Sequence, residues 1–153
     1  MIPPPKKKRD IFHMTVKQLS IFIENKGGTL IRVLQLLSEA KIQIIASTIA
    51  DTQDYGIYRI LCDQPEQAYL ILKDNGVNVN LTDVMALSID DEPGRAASAI
   101  EGLSGAGISI LYMYSFLWKG KGVLVLKTDR ADKASEVIIL KKIDFLTSQD
   151  FNN

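Results

Sequence analysis

The sequence predicts an α+β fold built from two βαββαβ units, each an antiparallel sheet with both helices on one face. Three observations carry this expectation. Shifted by 66 residues, the sequence lies on itself without a gap, giving ten identical pairs. Those pairs fall at turns, caps and apolar faces: Ile23 on Ile89, Gly28 on Gly94, Leu37-Ser38 on Leu103-Ser104, Ala40 on Ala106 and Ile42 on Ile108. Ile44 meets Ile110, Gly56 meets Gly122, Asp63 meets Asp129 and Ala68 meets Ala134. Within each copy, apolar spacing switches between strand and helix periods in the order strand, helix, strand, strand, helix, strand.

In the first copy, residues 17–23 are rich in apolar side chains and read as a strand. Glu24-Asn25-Lys26-Gly27-Gly28 follows as a turn with two residues that tolerate positive φ. Leu30, Val33, Leu34 and Leu37 then recur at the spacing of a helical stripe. Residues 42–50 form the next strand, 51–55 a polar hairpin and 56–62 the third strand. Asp63 is placed to cap a second helix, with Pro65 in its first turn and Gly76 beyond its end. Residues 77–81 close the unit. The second copy repeats the plan, with Pro93-Gly94 at the first turn, Gly107 after the first helix and Asp129 capping the second. The expected division is a flexible basic tail over 1–13, one unit over 14–83 and another over 84–153.

Strand 2 carries Ile42, Ile44 and Ala46 on one side and Ile45 and Ile49 on the other; its counterpart sets Ile108, Ile110, Tyr112 and Tyr114 against Leu111 and Met113. Val123 and Val125 likewise alternate with Leu124 and Leu126. A sheet with one wet face alternates apolar with polar residues, so these strands predict sheets that pack on one another, within the chain or in a homodimer.

Composition excludes several functions. Lys and Arg number 18, and so do Asp and Glu. Outside residues 1–13, fourteen basic groups stand against seventeen acidic ones, a poor balance for binding a phosphate backbone. One cysteine, Cys62, and one histidine, His13, leave no intramolecular disulfide, no zinc ligand set and no Ser-His or Cys-His nucleophile pair. Neither a membrane-spanning run nor a secretory leader is expected, which points to the cytoplasm. The tail, with Pro3-Pro4-Pro5 and Lys6-Lys7-Lys8-Arg9, looks like an import signal or an acidic-partner patch, but reads first as a solvated arm.

Asp91-Glu92-Pro93-Gly94-Arg95-Ala96, at a strand end and a helix start, resembles the D-x-P-G-x-L/A turn of the ACT domain. Glu24-Asn25-Lys26-Gly27-Gly28-Thr29-Leu30 is similar to the same turn, with Gly27 where proline is usual. From Met14 onward the chain resembles small stand-alone proteins made of two ACT repeats, ferredoxin-like modules of amino-acid metabolism. The resemblance implies a non-catalytic regulatory or sensor protein, without cofactor, that binds a free amino acid between ACT units. An enzyme of amino-acid metabolism would be its partner in trans.

The residues give that role a physical basis. A helix N-terminus offers unpaired amides and partial positive charge to a carboxylate. Gly28 and Gly94 lack a Cβ and let a ligand approach the backbone, Arg95 can add a charge-assisted bond, and Asn25 or Asp91 can accept from an α-ammonium. The expected ligand residues are Asn25, Lys26, Gly27, Gly28, Thr29 and Leu30 in the first turn, and Asp91, Pro93, Gly94, Arg95 and Ala96 in the second. Ser47, Thr48 and Asp51, or Met113 and Tyr114, would form the facing wall on strand 2 of a neighbouring unit. Gly102-Leu103-Ser104-Gly105-Ala106-Gly107 sits inside and at the end of a helix, where it reads as close packing and a C-cap; Lys119-Gly120-Lys121-Gly122 reads as a hairpin turn. Two alternatives stand beside the amino-acid reading. One is a nucleic-acid binder using Tyr112, Tyr114, Phe116 and Trp118; the other is an enzyme using carboxylates such as Asp51 and Asp54.

Overall fold

The computed structural model describes residues 14–24, 27–51, 54–89 and 93–152. The expectations for the basic tail, for Asn25, Lys26 and Asp91, and for the centre of the 51–55 hairpin lie outside those residues. Seven strands and five helices are described: β1 (Thr15–Glu24), α1 (Gly27–Glu39), β2 (Ile44–Asp51), β3 (Tyr55–Cys62), α2 (Pro65–Asp74) and β4 (Val79–Ile89). They continue with α3 (Arg95–Gly105), β5 (Ile110–Trp118), β6 (Lys121–Thr128), α4 (Ala131–Leu140), β7 (Phe145–Leu146) and α5 (Ser148–Phe151).

Two compact units result: Lys17–Thr82 with Phe151 and Asn152, and Asp83–Asp150 with residues 14–16. The residues expected to close the first copy and those opening the second form a single strand, β4. In the first unit the strand order is β2-β3-β1-β4; in the second it is β5-β6-β4-β7, the same plan. The pairings β1–β3, β2–β3, β4–β6 and β5–β6 are all antiparallel.

The two cores match position by position. In the first, Leu19, Ile21, Val33, Leu37, Ile42, Tyr58, Ile60, Ala68 and Leu72 are buried together. Their 66-residue counterparts in the second are Met85, Leu87, Ala99, Leu103, Ile108, Leu124, Leu126, Ala134 and Ile138. Strand residues from every second position meet helix residues at helical spacing, so each unit lays both helices on one sheet face.

All four long helices end in one way. Ile42 donates to Leu37 and Lys41 to Ser38; Val77 donates to Leu72 and Gly76 to Lys73. Ile108 donates to Leu103 and Gly107 to Ser104; Ile143 donates to Ile138 and Lys142 to Ile139. This is the Schellman stop, which needs a left-handed residue. The φ values are 59° at Lys41, 78° at Gly76, 78° at Gly107 and 55° at Lys142. The identical stretches around Leu37 and Leu103 are this stop written twice.

Three expectations need correction. Gln64 and Arg130, not Asp63 and Asp129, occupy the N-cap positions of α2 and α4, and neither makes a side-chain cap bond. The two aspartates instead accept the amides of Gln43 and Ser109, each at 3.0 Å, while their own amides donate to the Gln43 and Ser109 carbonyls. Each thus ties the end of its unit's third strand to the start of the second.

The period-2 reading of strand 2 also fails at one place. The β2–β3 register shifts between Ile44 and Ala46, and the β5–β6 register shifts between Ile110 and Tyr112. One extra residue in each, Ile45 and Leu111, reverses the alternation. Ile44 therefore shares the helix face with Ile49, whose partner Tyr58 is in the core; Ile110 shares it with Met113, whose partner is Leu126. Finally, the first turn is shorter than expected, because α1 begins at Gly27 and Gly28 is not left-handed, whereas Gly94 has φ 91°.

Gly56 and Gly122 are identical in sequence but not in surroundings. A Cβ at Gly122 would lie 2.9 Å from the Ile89 carbonyl oxygen, while at Gly56 the nearest atom is Ile49 Cγ2 at 3.6 Å. Gly122→Ala is expected to destabilise the protein by about 1–3 kcal/mol through overpacking, and Gly56→Ala by less than about 0.5 kcal/mol, as read from urea unfolding. Thr128 is the counterpart of Cys62. Its buried Oγ1 has no hydrogen-bond partner among the described residues. Thr128→Val keeps the shape and removes the orphaned hydroxyl, so it is expected to add about 1 kcal/mol in the same measurement.

Candidate functional site

The helices that open the two units differ electrostatically from those that close them. Glu66 lies in the first turn of α2 and Asp132 in that of α4, where each offsets the positive N-terminal end. The first turns of α1 and α3 contain no acidic residue. At α3 the N-cap is Gly94, which offers no side-chain bond to the first-turn amides. Around Gly28 and around Gly94 an added Cβ would meet nothing within 4 Å. Each unit therefore opens with a helix whose first turn holds no carboxylate and whose glycine has space beside it.

Pro93, Gly94 and Arg95 are exposed and Ala96 is half-buried, packed on the second core. In the first unit Gly28 is exposed, Thr29 is half-buried, and Leu30 packs on the first core. Leu30 and Ala96 thus anchor their helices beneath the exposed turns.

Strand register locates the expected wall residues. Asp51 pairs with Gly56, which pairs with Ile23, so Asp51 lies at the sheet end where α1 starts. Ser47 and Thr48 are level with Leu19 and Ser20. That places them about 10–13 Å further along, at roughly 3.3 Å per residue. Ser47 accepts a 3.3 Å hydrogen bond from the Tyr58 hydroxyl. Met113 is level with Met85, four positions before Ile89, and is exposed on the helix-side face, whereas Tyr114 faces the other way. Within one unit the turn and the middle of strand 2 are therefore not brought together.

The other signals resolve into structure. Lys119 and Gly120 have φ of 51° and 78°, the two left-handed residues of a tight hairpin between Trp118 and Lys121. Gly102 packs against α4, where an added Cβ would meet Lys141 Cγ at 3.7 Å and Val137 Cγ1 at 3.8 Å, and Gly107 is the helix stop. Tyr112, Tyr114, Phe116 and Trp118 are all half-buried, and their register partners are Lys127, Val125, Val123 and Lys121. No group of three His, Cys, Asp or Glu side chains suited to a metal ion occurs among the described residues. Among them, too, no helix is long and apolar enough to cross a membrane.

One feature escaped the sequence reading. Thr147-Ser148-Gln149-Asp150 is a capping box, in which Asp150 Oδ2 accepts from the Thr147 amide at 2.7 Å and from its hydroxyl at 3.2 Å. The T-x-x-D spacing was the available signal for α5.

The model for the ACT domain pair matches residues 14–153, and the chain belongs to that family. No curated protein matches. A crystal structure of protein BT0572 from Bacteroides thetaiotaomicron is similar at a TM-score of 0.85 and 41% identity, covering 91% of this chain and 96% of that one. The ligand-free regulatory subunit of aspartate kinase from Thermus thermophilus shares the fold at a TM-score of 0.57 and 13% identity, covering 84% and 92%. The regulatory subunit of aspartate kinase from Thermus flavus does so at 0.54 and 16%, covering 82% and 90%.

Cys62 is buried, and burial is the main cause that pushes its thiol from 9.0 up to about 11, with Asp63 and Glu66 adding to the rise and the Gln64 amide opposing it. Two pH units correspond to about a hundredfold loss of thiolate. At pH 8, iodoacetamide is expected to alkylate native Cys62 at least about a hundredfold more slowly than the urea-unfolded chain, as followed by mass spectrometry.

Proposed function

We propose that this ACT-domain pair is a non-catalytic regulatory or sensor protein of the cytoplasm that binds a free amino acid and acts in trans on an enzyme of amino-acid metabolism. The observation that carries the reading is the contrast between helix ends. α1 and α3 lack the first-turn carboxylate that α2 and α4 possess, and the positions beside Gly28 and Gly94 are open. An α-carboxylate there would accept first-turn amides and balance the end of the helix dipole. Arg95 stands at the first helical position of α3, in reach of the same group.

The facing wall belongs, in this reading, to a different unit, which fits the separation of Met113 and Ser47 from the turns of their own units. An interface of that kind also suits the exposed edge of β5. Leu111, Met113 and Leu117 are 60%, 51% and 75% exposed on one side of it. Such a row favours association, here with a second copy of the chain. Two of the solved structures that share the fold carry the name of regulatory subunits of aspartate kinase.

Ligand that bridges two units stabilises whichever arrangement closes the site, and only by its differential affinity for that arrangement. Calorimetry with the twenty amino acids is expected to find at least one that binds. Gly94→Val places a β-branched residue at φ 91°, against the turn and the ligand. Its affinity for that amino acid is expected to fall tenfold or more, about 1.4 kcal/mol, with the far-ultraviolet circular dichroism retained. Full affinity in the variant would remove the second turn from the site, and binding by none of the twenty would end the amino-acid reading.

A further inference from the structure

The hairpin end of the second unit borders a half-open cavity of about 200 Å³. Its lining includes Ser88, Trp118, Lys119, Lys121, Leu146 and Asp150, with Val123 beneath. Ser88 and Val123 are register partners in β4 and β6, and Trp118 and Lys121 are partners across the hairpin. All lie on or around the sheet face opposite the helices, since the intervening Leu87 and Leu124 belong to the helix-side core.

The first unit supplies an internal control. The counterparts of Ser88 and Lys121 there are Phe22 and Tyr55. Their rings stack with centroids 4.7 Å apart and planes at 29°. One copy of the fold therefore sets a stacked aromatic pair at these two positions, whereas the other sets a hydroxyl and an ammonium there, at the cavity.

The lining defines the occupant. Lys121, Lys119 and Ser88 present two cations and a hydroxyl, suited to a carboxylate. The indole of Trp118, with Lys119 Nζ 5.5 Å from its ring centroid, and the side chains of Val123 and Leu146 form an apolar wall. Asp150 is held in place by the two bonds from Thr147 to its Oδ2 and is suited to an ammonium. The volume is below the roughly 300–1,000 Å³ typical of drug-sized ligands, which limits the occupant to a very small molecule. We propose that this cavity is a second binding site, taking one free amino acid with an apolar side chain of leucine or methionine size. The carboxylate meets Lys121 and Ser88, the ammonium meets Asp150, and the side chain lies against Trp118 and Leu146. The class of ligand rests on the amino-acid reading above, but the site uses other residues than the helix turns.

Trp118 is the chain's single tryptophan, so its emission reports this cavity. L-leucine and L-methionine are titrated into the full chain with calorimetry and Trp118 emission read in parallel. Saturable emission change with matching heat is expected for at least one of them. Ser88→Phe/Lys121→Tyr, which installs the first unit's ring pair, is expected to weaken that binding tenfold or more. Gly94→Val is expected to leave the affinity read from Trp118 emission within twofold, its own loss showing only in the heat of the turn site, and 4-methyl-2-oxopentanoate, which lacks the ammonium, to bind at least fivefold more weakly than leucine. Should the double variant fail to fold, Lys121→Met is expected to show the same tenfold loss. Heat that disappears in Gly94→Val, with silent Trp118 emission and wild-type affinity in the cavity variants, would overturn this site and leave the turn reading standing. Absence of heat and of emission change with all twenty amino acids would overturn both.

Discussion

Everything in the two units depends on where each long helix stops. A helix that covers a sheet must hand the chain back to the sheet within a few residues, with the next apolar side chain aimed into the core. The Schellman stop does this at Lys41, Gly76, Gly107 and Lys142 through one left-handed residue and two backbone bonds. The residue that follows each stop is apolar: Ile42, Val77, Ile108 and Ile143. Ile42 and Ile108 are buried in their cores, while Val77 and Ile143 pack against them. Lysine occupies two of the four positions at a conformational cost of about 1–2 kcal/mol relative to glycine. That the geometry persists there shows it is imposed by the helix–sheet packing rather than by glycine alone.

The repeat, the element order and the core were legible because they depend on periodic burial, which leaves a periodic trace. Leu37 and Leu103, or Ile60 and Leu126, could be assigned to a core from spacing alone. The bulges at Ile45 and Leu111 were not legible, because an extra residue inside an all-apolar strand changes no residue type, only its direction. Asp63 and Asp129 misled for a related reason. An aspartate before a helix is chemically equipped to cap it, and only the fold shows that a strand amide, from Gln43 or Ser109, stands closer to hand. Of the candidate site, the turn glycines and their helices were readable. The missing first-turn carboxylates at α1 and α3 were present in the sequence too, but acquire meaning only beside Glu66 and Asp132.

Duplication of one fold separates what the fold needs from what each copy can change. Most core positions stay apolar across the 66-residue shift, even where size changes as from Val33 to Ala99 or Tyr58 to Leu124, and the stops keep their backbone. On the sheet face away from the helices the constraint is looser. The first unit places Gln18, Ser20 and Thr82 there, linked by bonds of 3.1 and 2.8 Å, where the second has buried Val84 and Ala86. The exchange of Phe22 and Tyr55 for Ser88 and Lys121 belongs to the same freedom, one strand position further on.

A cavity is useful for recognition only if its walls are placed before the ligand arrives, since ordering them on binding would cost affinity. The second unit meets that condition through its backbone. Gly122 brings the hairpin so near to Ile89 that a Cβ would lie 2.9 Å from the carbonyl oxygen, and Ile89 directly follows Ser88. The Lys119-Gly120 turn, with both residues left-handed, fixes Trp118 opposite Lys121. The main chain therefore sets the spacing of Ser88, Trp118 and Lys121. At Gly56 the nearest atom to an added Cβ is instead a methyl of Ile49 on β2 at 3.6 Å, and stacked rings stand at the positions of Ser88 and Lys121. The tighter backbone accompanies the open cavity, and the looser one the stacked ring pair, as preorganisation requires.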